Sequence, residues 1–97
     1  MRLSDDQIRN LRKTVSSLIK DVTEIRVFGS RLDDSRRGGD LDLVVETRQK
    51  HGMIQKADLK IALEKVLGLP VDVLLVARDE TRSVFERLAI SKSQSLP

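Results

Sequence analysis

The chain of 97 residues has a net charge of +3, is 39% hydrophobic and 34% charged, and contains one histidine and no cysteine. The absence of cysteine excludes disulfides and thiol chemistry. Together with the single histidine it also excludes conventional zinc centres, which leaves oxygen ligands for any metal. This length fits one domain, 1–97, with a single core. Because basic residues are scattered among acidic ones and aromatic residues are only 2% of the chain, no nucleic-acid stacking surface is expected. No apolar run is long enough to span a bilayer and the first residues lack an apolar signal segment, so we expect a cytoplasmic protein.

The first half of the chain predicts one helix and two strands. A helix is expected over about 5–20, where Ser4 and Gln7 resemble a capping box and apolar residues recur at helical spacing. Short apolar stretches predict strands at 24–28 and 41–46, with a polar, glycine-containing segment between them.

The second half predicts a helix, a strand and a final helix. The apolar residues expected on the core face of the first of these helices are Ile54, Ala57, Ile61, Leu63, Val66 and Leu67, before a stop at Gly68 and Pro70. A nearly continuous apolar run at 71–77 is typical of an interior strand. The last helix, over about 79–90, is expected to bury Val84, Phe85, Leu88 and Ala89, and the tail 91–97 is expected to fray.

This order, α-β-turn-β-α-β-α, predicts an α+β fold with a small mixed three-stranded sheet and flanking helices. The helical connection makes the second and third strands parallel, and the short connection makes the first two antiparallel. Asp42, Asp72 and the Gly29–Ser30 turn are then expected at one edge of the sheet. Asp40 lies two residues before Asp42 and therefore on the same face of the strand.

Three carboxylates at one edge are the chemically informative feature. Asp40, Asp42 and Asp72 would repel one another unless cations or protons neutralise them. Oxygen ligands suit magnesium, which also binds phosphate oxygens of a substrate, and a pair of such ions binds the attacking and leaving oxygens of a phosphoryl displacement. The plainer interpretation is a set of solvated acidic residues that follow turns.

The segment between the first two strands adds candidate phosphate ligands. Glycine at position 29 permits close approach of the backbone, and exposed amides with the Ser30 hydroxyl can hold phosphate oxygens. Arg31, and Arg36 or Arg37, can neutralise further phosphate charge, although a basic loop is often only solvated. His51 lies in a predicted turn and is expected to have no role.

The stretch "VFGSR" followed by "GGDLDLVV" resembles the signature of the DNA polymerase β-like nucleotidyltransferases. The similarity to their minimal (MNT-type) branch covers almost the whole chain. The resemblance implies that Asp40 and Asp42 hold two Mg²⁺ ions, that Asp72 completes one metal site and helps to activate an acceptor hydroxyl, and that Gly29 and Ser30 hold the triphosphate of a nucleotide.

The small size of the chain indicates that it acts on a partner molecule. The domain has residues for a nucleotide donor but no second domain for an acceptor, so the acceptor is expected on another molecule. Related minimal proteins pair with a helical HEPN-type protein, often as an antitoxin that transfers AMP to the toxin, and the resemblance implies this activity here, with ATP as donor. The alternatives are a non-catalytic module that sequesters a helical partner, and an enzyme acting on a small hydroxyl compound.

Overall fold

The computed structural model describes residues 3–28, 41–78 and 83–97. Their helices and strands are, in chain order, α1 (Asp5–Leu18), β1 (Val22–Phe28), β2 (Leu41–Thr47), α2 (Met53–Leu67), β3 (Val71–Ala77), α3 (Val84–Ser91) and β4 (Gln94–Ser95). The predicted α+β fold with a mixed sheet is confirmed, and β4 is an addition to the predicted order. The predicted start of the last helix, 79–82, lies outside the described residues.

The helix ends follow from local sequence. The Ser4 hydroxyl accepts a hydrogen bond from the Gln7 amide and the Gln7 side chain accepts one from the Ser4 amide, which is the predicted capping box. Gly68 follows α2 with a φ of 70°, a left-handed conformation that favours glycine. Its amide donates to the Glu64 carbonyl at 2.9 Å, so the chain leaves α2 and reaches β3 within three residues.

The sheet has the strand order β3-β2-β1-β4. As predicted, β1 and β2 are antiparallel and β2 and β3 are parallel. Phe28 lies opposite Asp42, and Asp42 lies opposite Asp72, so both aspartates occupy the same edge of the sheet. The interior position predicted for the third strand is wrong, because β3 is the outer strand of the described sheet.

The core lies mainly between the sheet and helices α1 and α2. Its buried residues are Leu11, Val15, Ile19, Ile25, Val27, Leu41, Leu43, Val45, Leu59, Leu63, Leu67, Val71, Val73 and Leu96. A smaller cluster on the opposite face combines Val44, Val76 and Ala89 of α3. The apolar run of β3 therefore reflects cover on both of its faces rather than a central position in the sheet. None of the helices in the described ranges is both long enough and apolar enough to cross a membrane.

The two later helices bury only some of the residues predicted, and in α2 the burial predicted for Leu63 and Leu67 is confirmed. In α2 the buried positions are Leu59, Leu63 and Leu67, whereas Ile54, Ile61 and Val66 are 78%, 63% and 47% exposed and Ala57 is also exposed. Because α2 carries apolar residues on more than one side, its periodicity cannot identify the face that packs on the core. In α3 Ala89 is buried as predicted, but Val84 and Leu88 are exposed, and the Phe85 side chain lies outside the described part of the structure.

The C-terminal residues pair with the sheet, which differs from the expected fraying. Gln94 and Ser95 form β4 against Val27 and Arg26 of β1. Leu96 is only 5% exposed and belongs to the main core, and its amide donates to the Ile25 carbonyl at 2.9 Å. The predicted three-stranded sheet is therefore a four-stranded one.

A polar network holds this C-terminal segment. The Arg26 guanidinium donates to a Glu24 carboxylate oxygen at 2.8 Å, to the Ser95 hydroxyl at 3.0 Å and to the Ser93 carbonyl at 3.1 Å. The Ser95 hydroxyl also donates to Glu24. This hydrogen bond is the main cause that lowers the pKa of the Glu24 carboxyl. Arg12 of α1 adds hydrogen bonds to the Leu96 and Pro97 carbonyls at 2.7 and 2.6 Å.

Leu96→Ala is expected to lower the free energy of unfolding by about 2 kcal/mol, because it removes a buried leucine from the main core. Urea unfolding followed by circular dichroism measures this loss. Leu88→Ala is the matched control, since Leu88 is 51% exposed and its truncation is expected to change stability by less than about 0.5 kcal/mol. Equal effects of the two substitutions would contradict the packing of the C-terminal segment.

His51, for which no role was expected, contacts Asp21. Its Nε2 lies 2.6 Å from Asp21 Oδ1, and the other Asp21 oxygen accepts the Gln49 amide at 2.9 Å. The Gln49 amide is the largest cause that lowers the pKa of the Asp21 carboxyl. These contacts join the start of β1 to the connection between β2 and α2.

Candidate functional site

The candidate site is built on a row of three residues across the sheet. Phe28, Asp42 and Asp72 are aligned by the pairing of β1 with β2 and of β2 with β3. Neighbouring strands lie about 4.8 Å apart, and residues in register on parallel strands point to the same face. The predicted convergence of Asp42 and Asp72 is therefore confirmed.

The two aspartates line one cavity. It has a volume of about 280 Å³ and is lined by Phe28, Asp42, Leu43, Lys56, Asp72, Val73 and Leu74. The Asp42 side chain is partly buried, while that of Asp72 is 62% exposed. The site thus combines an apolar wall, two carboxylates from different strands and one ammonium group.

Lys56 is a site residue that sequence reasoning missed. It belongs to α2, on a part of the chain with no recognisable motif, and only the packing of α2 on the sheet brings it to the cavity. Within the described ranges its side chain makes no ion pair or hydrogen bond. The ammonium group is therefore available to an anionic ligand.

Two further residues of α2, Lys60 and Glu64, contact the start of β3. Lys60 Nζ lies 3.2 Å from Glu64 Oε2 and 3.6 Å from Asp72 Oδ1. The hydrogen bond with Glu64 is the main cause that raises the pKa of Lys60. The Val71 amide donates to Glu64 at 2.9 Å, and this is the main cause that lowers the pKa of Glu64. Sequence reasoning did not identify either residue.

The remaining predicted site residues lie outside the described residues. They are Gly29, Ser30, Arg31, Arg36, Arg37 and Asp40. In the ranges that the structure does describe, no group of three or more potential metal ligands comes together. The structure thus brings together Asp42 and Asp72 of the predicted carboxylate cluster.

The donor chemistry of this pair fits magnesium. Mg²⁺ is commonly bound in proteins by one or two carboxylates, with waters and substrate phosphate oxygens as its other ligands. Asp42 and Asp72 supply two carboxylates to one cavity. The same cavity has room beside them for phosphate groups, whose charge the Lys56 ammonium can neutralise.

The sequence matches the family model of the nucleotidyltransferase domain over residues 8–94. The chain belongs to this family. The matched range includes β1, β2, β3 and both described aspartates of the site. The predicted enzyme class, a nucleotidyltransferase, is confirmed. No curated protein matches the sequence significantly.

Solved structures share the fold. A toxin–antitoxin complex with AMP-PNP contains a chain that is 22% identical, with a TM-score of 0.76 over 93% of this chain and 72% of that one. A tri-AMPylated Shewanella oneidensis HEPN toxin in complex with MNT antitoxin gives 21% identity and a TM-score of 0.73 over 98% and 72%. A minimal nucleotidyltransferase gives 23% identity and a TM-score of 0.67 over 92% and 88%. The fold is that of minimal nucleotidyltransferases.

Proposed function

We propose that this nucleotidyltransferase transfers AMP from ATP to a hydroxyl group of a helical HEPN-type toxin and thereby acts as its antitoxin. The observation that carries the proposal is the pair Asp42 and Asp72, aligned on adjacent strands in one cavity. The fold neighbours support the nucleotide and the partner, because they include a complex with AMP-PNP and an AMPylated HEPN toxin bound to an antitoxin.

The proposed catalytic and metal-binding residues are Asp40, Asp42 and Asp72. Magnesium bound by these carboxylates would neutralise charge on the triphosphate. The oxygen of the acceptor hydroxyl attacks the α-phosphorus of ATP, the bond from that phosphorus to the bridging oxygen breaks, and pyrophosphate leaves. Asp72 accepts the proton of the attacking hydroxyl, which suits the exposure of its carboxylate.

The proposed nucleotide-binding residues are Gly29, Ser30 and Arg31. A turn with free amides and a hydroxyl binds phosphate oxygens, and the guanidinium group adds charge-assisted hydrogen bonds. Lys56 of α2 adds a second cation to the site. Its position in the aspartate cavity supports a contact with the phosphates or with the leaving pyrophosphate.

Exposed apolar side chains on α2 support a protein partner. Ile54 and Ile61 lie seven residues apart and so share one face of the helix, and both are more than half exposed. Met53 at the start of α2 is also exposed. Apolar groups that are clustered on a surface are typical of sites that contact other proteins.

The test is transfer of label to a purified HEPN-type partner. The chain, Mg²⁺ and the partner are incubated with ATP labelled at either the α- or the γ-phosphorus. We expect label on a partner hydroxyl from the α-position only, because pyrophosphate carries the γ-phosphorus away. Mass spectrometry should locate a single nucleotide at each modified residue.

A triple variant with Asp40, Asp42 and Asp72 changed to asparagine separates the proposal from its alternative. Loss of labelling together with loss of toxin neutralisation would support catalysis. Neutralisation by the triple variant as strong as that by the unmodified chain, without label in either case, would favour a non-catalytic module that sequesters its partner.

A further inference from the structure

The backbone immediately before Asp72 is held by side chains of α2. The Val71 carbonyl accepts a hydrogen bond from Lys60 Nζ at 2.5 Å, and the Val71 amide donates to Glu64 Oε2 at 2.9 Å. Lys60 and Glu64 lie one helical turn apart and are joined at 3.2 Å. Lys60 and Glu64 therefore bind both the carbonyl and the amide of Val71.

The edge position of β3 explains why these groups need partners. The Pro70 carbonyl accepts from the Leu41 amide at 3.0 Å, so the polar groups next to Val71 face β2. In a parallel ladder the amide and carbonyl of the next residue point the other way. Those of Val71 face the open edge of the sheet, where Glu64 and Lys60 take the place of a neighbouring strand.

Lys60 also approaches the carboxylate of the following residue. Its Nζ lies 3.6 Å from Asp72 Oδ1. In the described part of the chain, Lys60 is the one residue that makes an ion pair with Asp72. A single ammonium group thus contacts both the backbone before Asp72 and the Asp72 side chain.

We propose that Lys60 and Glu64 are positioning residues for nucleotidyl transfer, which fix the Val71 backbone and thereby the placement of the Asp72 carboxylate at the acceptor hydroxyl. This inference rests on the proposed function. Neither residue lines the cavity that Asp42 and Asp72 share, so both act through Asp72. A displacement of about 1 Å at a reacting group can reduce the rate by about 10²-fold, so a modest change in this contact is expected to be visible in catalysis.

Lys60→Met is expected to lower kcat for labelling of the partner by about 10-fold to 100-fold, while KM for ATP changes by less than about 3-fold, because the nucleotide site does not include Lys60. Lys60→Arg is expected to recover most of the activity, since it retains a cation that can reach the Val71 carbonyl. Lys65→Met, which removes an exposed lysine of the same helix, is the matched control.

A double substitution tests whether Lys60 acts through Asp72. In an Asp72→Asn background, Lys60→Met is expected to cause no further loss of transfer, because the carboxylate that it positions is already absent. The same fractional loss in both backgrounds, or a rise in KM for ATP that accounts for the whole defect, would overturn the inference.

Amide hydrogen exchange provides a readout that is independent of activity. In the chain alone, Lys60→Met and Glu64→Leu are expected to speed exchange at Val71 by about 10-fold or more, while the amide of Leu43 in the central strand keeps its rate and shows that the fold is intact. Unchanged exchange at Val71 in both variants would overturn the positioning role even if transfer fell. Absence of transfer by the unmodified chain would instead count against the proposed function, and the exchange rates would still decide whether the pair holds Val71.

Discussion

Asp42→Asn is expected to lose most of the thermal stabilisation that Mg²⁺ with ATP gives to the unmodified chain. A ligand at about 100 times its Kd stabilises the folded state by about 2.7 kcal/mol, which corresponds to a rise in Tm of roughly 10 °C for a domain of this size. The substitution replaces one carboxylate by an amide, which binds Mg²⁺ much less well. Thermal unfolding with and without Mg²⁺ and ATP measures the difference, and Asp40→Asn should behave in the same way.

Asp58→Asn is the matched control for this experiment. Asp58 is exposed on α2 and does not line the aspartate cavity, so its substitution removes the same charge without touching the site. If Asp40→Asn and Asp42→Asn both kept the full shift in Tm, the metal-binding role proposed for these residues would be wrong.

Asp72→Asn is expected to separate nucleotide binding from transfer. If Asp72 accepts the proton of the acceptor hydroxyl, its loss should lower the transfer rate by about 10²- to 10⁴-fold, the usual range for a general base. Binding of ATP should weaken much less, because Asp42 and Lys56 remain in the cavity.

The comparison uses calorimetric titration of ATP with Mg²⁺ for binding and single-turnover labelling of the HEPN-type partner for transfer. Asp42→Asn serves as the contrasting variant, since it is expected to impair both measurements. An Asp72→Asn protein that transfers AMP at the unmodified rate would remove Asp72 from the chemistry, and one that fails to bind ATP would make it mainly a ligand of the nucleotide-bound metal.

The prediction that Asp42 and Asp72 lie side by side follows from two geometric rules. A helix between two adjacent strands favours a parallel crossover, and alternation along a strand assigns each residue to a face. Together these rules place Asp42 beside Asp72, as their register shows. The bounds of β3 were also predictable, because Gly68 and Pro70 end the preceding helix and a continuous apolar run follows.

The contributions of α2 could not be predicted in the same way. Four of its apolar residues that were expected in the core are exposed, because a helix with apolar residues around much of its circumference does not reveal which side packs. Lys56 and Lys60 have long side chains whose reach depends on how α2 lies across the sheet. Their contacts arise only from tertiary packing, and no local pattern distinguishes them from solvated lysines.

The C-terminal strand also lacks a detectable sequence signal. Two residues are too few to show strand periodicity, and the surrounding serines are typical of an unpaired tail. Pairing instead depends on Arg26, whose guanidinium group reaches Ser93 and Ser95, and on the burial of Leu96. Each of these is a contact between distant parts of the chain.

The direction of β4 has a practical consequence for handling the protein. Because β4 runs antiparallel to β1, and β1 ends at Phe28 beside Asp42, the chain after Ser95 heads away from the aspartate cavity. It also leaves from the side of the sheet opposite β3. A fluorophore or an immobilisation tag attached after Pro97 would therefore begin on the side of the chain away from the aspartate cavity, next to the Arg12 hydrogen bonds to the last two carbonyls.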